Sequence, residues 1–249
     1  MATSFGVVAS RFRRKGSGQP TTIDGSPVML WPGTTRYVDG DKATNGDGLS
    51  WDSAHNTIQL AVTAASDGDT VRIMPRTMAG TVTDPVDYAE TIIIPAGKRL
   101  ALIGVSGGPA QGNQPQIKKG SGSTALLTIR SAGCYISGLS FNGASSTGGG
   151  ILLDDDASTK NAFGTVIEDC FFKNCKGHAT DGRLGGAIYW PAAGNSWQVR
   201  IAHNRFYKNV ADIVVVGTSG SVPQDVVIEG NHFSGPAASV DVNIFTGGS

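Results

Sequence analysis

The sequence predicts an all-β protein, a parallel β-solenoid of about six rungs, and three observations carry that prediction. The first is composition. Of 249 residues 35 are glycine and only 16% are charged, against usual shares of roughly 7% and 25%. The second is a short segment that recurs through the chain. The third is a separate series of β-branched strands that advances in step with it.

The recurring segment reads "CYISGLSF" from Cys134, "TVIEDCFF" from Thr165, "VRIAHNRF" from Val199 and "VVIEGNHF" from Val226. Aligned on Ile136, Ile167, Ile201 and Ile228, each copy carries a phenylalanine five residues on: Phe141, Phe172, Phe206 and Phe233. Upstream, "TVRIMP" and "LALIGV" extend the series through Ile73 and Leu102, making six copies. Between them run "ETIII", "LLTI", "GILL", "AIYW", "DIVVV" and "VNIF", ending at Ile94, Ile129, Leu153, Trp190, Val216 and Phe245. Self-similarity at a near-fixed period signals a repeat architecture. The segments are too short and too β-branched for helical repeats, and their Gly/Ser/Asn-rich connections vary in length as a solenoid allows.

Period-2 alternation turns the isoleucines and phenylalanines inward, so successive rungs stack them as internal ladders. Three residues after the isoleucine stand Leu139, Cys170, Asn204 and Asn231; the two asparagines predict a short ladder satisfying backbone at a bend. Cys134, Cys170 and Cys175 lack zinc-site spacing and read as small buried hydrophobes.

"TIQLAVTAAS" supplies a capping helix over about 57–66, with Asn56 or Thr57 as N-cap and Gly68 beyond its end. Placed just before the first strand, it is positioned to plug the end of the rod. Residues 1–36 have no counterpart in the repeat. They read as an extended anchoring arm, with apolar Phe5, Val7, Val8 and Phe12 among the cations Arg11, Arg13, Arg14 and Lys15. The domain organisation expected is therefore an arm over 1–36 and a solenoid over 37–249. No apolar run reaches the 18 or so residues that would cross a bilayer. The 20 basic and 20 acidic residues balance, which argues for neither a nucleic-acid nor a membrane partner.

Residues 37–75, with "YVDG", "NGDGLSWDSAHNTIQLAVTAASDGDTVRIMP" as quoted, resemble the N-terminal cap of pectin-lyase-like proteins, and the resemblance spans residues 37–245. It implies a single-stranded right-handed parallel β-helix. That superfamily holds pectate lyases, polygalacturonases, phage tailspike depolymerases and non-enzymatic virion proteins, so the fold alone selects no function.

Asp154 and Asp155, in "DDDAS", are the most catalytic-looking carboxylates, but read first as a solvated turn. His178, Asp181 and Arg183, in "GHATDGRLGG", faintly resemble polygalacturonase motifs without their partnering segments. Glu168 and Glu229 lie two rungs apart, with nothing in the sequence to suggest a raised pKa. Asp39, Asp41, Asn45 and Asp47 could offer calcium oxygens, yet lack EF-hand spacing and fit an Asx-turn loop better. No metal or cofactor is called for. On the outside of the rod, Phe171, Arg205, Tyr207 and His232 share one face, which suits a protein interface or a sugar. Lys173 is expected to point into solvent from the same face.

These readings favour a non-enzymatic phage virion structural protein, a capsid decoration, head-fibre or tail component. Its arm would bind other virion proteins or copies of itself through Phe5, Val8, Arg11, Phe12, Arg13, Arg14 and Lys15. Lacking a signal peptide, it would be made in the host cytoplasm and end in the virion. The alternatives are a tailspike-like polysaccharide depolymerase, lyase or glycoside hydrolase, and a carbohydrate-binding module with a surface glycan as partner.

Overall fold

Stacked short strands on three sides of a continuous core make up the protein. The structure is a computed structural model and describes residues 21–23, 26–28, 33–78, 85–105, 114–118, 125–143, 149–153, 162–175, 186–190, 197–216, 224–235 and 240–245. The catalytic-looking Asp154, Asp155, His178, Asp181 and Arg183, and the arm residues Phe5, Val8, Arg11, Phe12, Arg13, Arg14 and Lys15, lie outside the described residues.

The first sheet has seven strands: Thr35–Val38, Thr70–Ile73, Ala101–Gly104, Tyr135–Ser137, Val166–Glu168, Arg200–Ala202 and Val227–Glu229. The second has five: Gln116–Ile117, Ser140–Asn142, Phe171–Lys173, Arg205–Tyr207 and His232–Ser234. The third has six: Ile92–Ile94, Leu127–Ile129, Ile151–Leu153, Ile188–Trp190, Ala211–Val216 and Val240–Phe245. Every pairing within these sheets is parallel, from one turn to the next. The chain thus makes a parallel β-solenoid of about five complete turns rather than six, since five second-sheet strands are described. A separate two-stranded antiparallel sheet pairs Thr21–Ile23 with Ser26–Val28, within the segment expected to be an arm. The strand Thr35–Val38 straddles the boundary expected at residue 37.

The inner ladders form as expected. Leu102, Ile136, Ile167 and Ile201 pair in one column and are fully buried. Phe141, Phe172, Phe206 and Phe233 stack with ring centroids 5.0 Å apart and interplanar angles of 9°, 10° and 13°. The first copies differ from the sequence alignment. Leu102 pairs with Val71, not Ile73, which pairs with Gly104. A two-residue slip leaves the same face inside. Val71 and Ile73 are both fully buried, so the apolar pattern could not separate the two registers. At Gly104 a Cβ would lie 2.0 Å from the Gly138 carbonyl oxygen, so glycine permits the approach of those turns.

Corners between sheets repeat a left-handed residue. One column holds Gly138, Asp169, His203 and Gly230; the next holds Asn174, Lys208 and Gly235; the third holds Gly133, Gly164, Gln198 and Asp225. Asn, Asp and His are the side chains best tolerated there. Beside the first corner runs the asparagine ladder. Cys170 N donates to Asn204 Oδ1 (2.9 Å) and Asn204 N to Asn231 Oδ1 (2.9 Å), while Asn204 Nδ2 and Asn231 Nδ2 donate to the Ile167 and Ile201 carbonyls. Asn209 repeats the device one corner on, accepting from Cys175 N at 2.9 Å. Burial pushes the Cys170 and Cys175 thiols up to about 12, which keeps them protonated packing groups.

Helix α1, Ile58–Ala64, covers the N-terminal end and buries Ile58, Ala61 and Val62. Its N-cap is Thr57, whose hydroxyl accepts from Leu60 N. Glu90 arrives from 32 residues on, and its two carboxylate oxygens accept from Ile58 N and Gln59 N at 2.8 Å each. The carboxylate thereby satisfies two of the donors that a helix start leaves open.

Candidate functional site

Outward side chains of the second sheet form two columns because alternate residues of a strand face opposite ways. Gln116, Ser140, Phe171, Arg205 and His232 stand in one; Asn142, Lys173, Tyr207 and Ser234 stand in the other. The face divides along the rod. Ser140, Asn142, Phe171 and Lys173 are buried, Lys173 at only 4% exposure, whereas Arg205, Tyr207, His232 and Ser234 are exposed. This overturns the expectation that Lys173 points into solvent. Register set its direction correctly, but the surroundings determine its exposure, and its ammonium lies 5.8 Å from the Phe171 ring centroid.

Where burial gives way to exposure there is a cleft of about 290 Å³ lined by Phe171, Arg205, Phe206, Tyr207, His232 and Ser234. Phe171, Arg205 and Tyr207, singled out from the sequence, are thus brought together on adjacent turns with His232, and Ser234 completes the lining. Lys208 extends its ammonium over the Tyr207 ring, 5.0 Å from the centroid. Among the described residues the Arg205 guanidinium and the His232 imidazole have no hydrogen-bond or ion-pair partner. The cleft therefore offers two aromatic surfaces, a free planar fork of donors, an imidazole and a hydroxyl. That set can hold a ligand by stacking and hydrogen bonding. Among the described residues that line the cleft there is no carboxylate.

A group of carboxylates occupies a different face. On the outside of the first sheet the Tyr135 hydroxyl donates to Glu168 Oε1 at 2.5 Å. Arg200 donates to Glu168 Oε2 at 2.7 Å and to Glu229 Oε1 at 2.8 Å. The two glutamates two turns apart are therefore clamped by one guanidinium from the turn between, whose pKa rises, against the effect of burial, through its bonds to Glu229 and Glu168. At the adjacent corner Asp169 is pushed up by burial and by neighbouring Glu168, with His203 and Arg200 opposing. The sequence displayed these residue types but not the clamp, because Arg200 meets both glutamates only once three turns stack in register.

The Asp39–Asp47 loop uses its oxygens internally. Asp41 accepts from Arg76 Nε (2.9 Å), Thr77 N (2.7 Å) and Thr77 Oγ1 (2.6 Å), and these bonds outweigh burial to hold its pKa low. Asp47 accepts from Leu49 N and Ser53 Oγ, and Asn45 Oδ1 from Asn56 N. Asp47 with Leu49 N, and Asp39 Oδ1 with Asp41 N, close Asx turns, whereas Asp41 itself reaches across to Arg76 and Thr77. His55 is buried beneath Gly48, its Nδ1 3.1 Å from Asn45 Oδ1 and its Nε2 without a partner. No family model, curated protein or solved structure matches this chain.

Proposed function

We propose that the chain is a non-enzymatic structural protein, a short rigid rod that docks a partner through the second-sheet cleft and is anchored through residues 1–36. In the setting that its resemblance to pectin-lyase-like proteins suggests, it is a phage virion component of the decoration, head-fibre or tail kind. The observation that carries the reading is the cleft itself: tyrosine, arginine and phenylalanine converge on a rigid ladder, the composition of an interface anchor. Deleting residues 1–30 should leave β-sheet circular dichroism and cooperative melting intact while abolishing incorporation into the assembly. A truncated chain that assembles normally would remove the anchoring half of the proposal; Tyr207→Ala with unimpaired assembly would remove the docking half.

A depolymerase is the second reading, and the raised Asp169 carboxyl beside Glu168 favours it, since perturbed acids cluster at working sites. Incubation with pectins, alginates and bacterial capsule preparations separates the two. Release of reducing ends or unsaturated uronates, lost on Asp169→Asn, would move the enzyme to first place.

A further inference from the structure

We infer that the second-sheet cleft is an anion socket that takes a carboxylate side chain from an acidic segment of a partner protein. The inference rests on the reading of the cleft as a docking surface and adds the chemistry of what docks. Arg205 stands between Phe171 and His232 in its column, with Tyr207 beside it two residues along the strand. Among the described residues its guanidinium and the His232 imidazole are unpartnered, and Lys208 adds a further positive charge against Tyr207. A free guanidinium beside aromatic surfaces matches the planar, two-oxygen geometry of a carboxylate. Positive groups with no counter-charge among the described residues of one small surface favour an oppositely charged partner.

Size decides which kind of carboxylate. About 290 Å³ lies at the lower edge of small-ligand pockets and holds one residue-sized group. The exposed part of the face covers only the turns of Arg205 and His232, roughly 10 Å of rod. Beyond them Phe171, Ser140 and Asn142 are buried. An acidic polysaccharide would need a longer open track to engage several sugars at once. A single protruding Asp or Glu needs only what is present.

The test uses the full chain and a short synthetic peptide alternating glutamate with glycine, its glutamine counterpart, and an oligogalacturonate of equal charge, each titrated by calorimetry at low salt. The glutamate peptide should bind, weaken as salt rises, and lose about tenfold or more in affinity on Arg205→Gln. The glutamine peptide should not bind. Arg205 is exposed, so an unchanged melting curve will show that the variant folds. Equal binding of the two peptides, no binding of either, or indifference to Arg205→Gln would overturn the inference. Tighter binding of the oligogalacturonate would overturn its protein-partner part. Loss of binding on Tyr207→Ala but not on Arg205→Gln would sink the anion socket yet leave the docking surface standing.

Discussion

The N-terminal turns and the last described turn are built alike and packed differently. At the N-terminal end α1 lies across the core, and Ile58, Val62, Val71 and Ile73 are all fully buried. In the last described turn Val226, Ile228 and Phe233 are only partly buried, though their counterparts one turn earlier, Val199, Ile201 and Phe206, are 0–1% exposed. A solenoid residue packs against the turns on both sides of it. The same residue type in the same register is therefore worth much less in the final described turn.

Mutating matched residues in the middle and at that end tests this directly. Phe206 has a ring on each side and Phe233 a described one on one side only. Phe206→Ala should cost about 3–5 kcal/mol in denaturant titration, the usual range for a core phenylalanine, and Phe233→Ala distinctly less. Equal costs would mean that the last turn is as well packed as the middle.

The asparagine ladder gives the next largest contrast. Asn204 is fully buried and serves Cys170 N and the Ile167 carbonyl, so Asn204→Ala should cost about 1–3 kcal/mol by leaving backbone groups unsatisfied. Asn231 is half-buried and water can replace part of its role, so its alanine variant should be milder. Reversal of that order would break the comparison.

At the capped end, Thr57→Ala should remove about 1 kcal/mol by losing the N-cap bond. His55 adds a pH dependence to the same region. Burial, then Arg36, depress its pKa below the usual 6.5, with Asp47 opposing, so the folded imidazole takes up its proton at lower pH than the unfolded one. Above 6.5 the folded and unfolded chains hold the same proton count at this site. As pH falls below 6.5 the unfolded chain takes up a proton first, and stability declines until the folded imidazole also titrates. Thermal melts at pH 7.5 and 5.5 should therefore show a drop that shrinks in His55→Gln; an equal drop in both proteins would clear His55 of the effect.

The smallest effect belongs to the outer clamp. Glu229→Gln removes a half-exposed ion pair with Arg200 and should shift stability by about 0–1 kcal/mol, less at high salt.

Much of this was legible in the residues. The isoleucine and phenylalanine columns depend on alternation and a constant offset of five, which are properties of the chain alone, and the structure reproduces each column from Leu102 onward. The asparagine ladder, all six third-sheet strands and the plugging helix likewise follow from local pattern and cap chemistry. Phe171, Arg205, Tyr207 and His232 converge because strand direction propagates from turn to turn.

What only the tertiary structure decided is whatever depends on the neighbouring turn rather than on the chain itself. Val71 rather than Ile73 pairs with Leu102 because a slip of two residues costs no change of face, so packing must choose the register. Arg200 clamps Glu168 and Glu229 only when three turns are stacked. Lys173 and Tyr207 occupy adjacent positions in one outward column, yet one is buried and the other exposed. Alternation specifies which way a side chain points; how much of it water reaches depends on what the rest of the chain brings alongside.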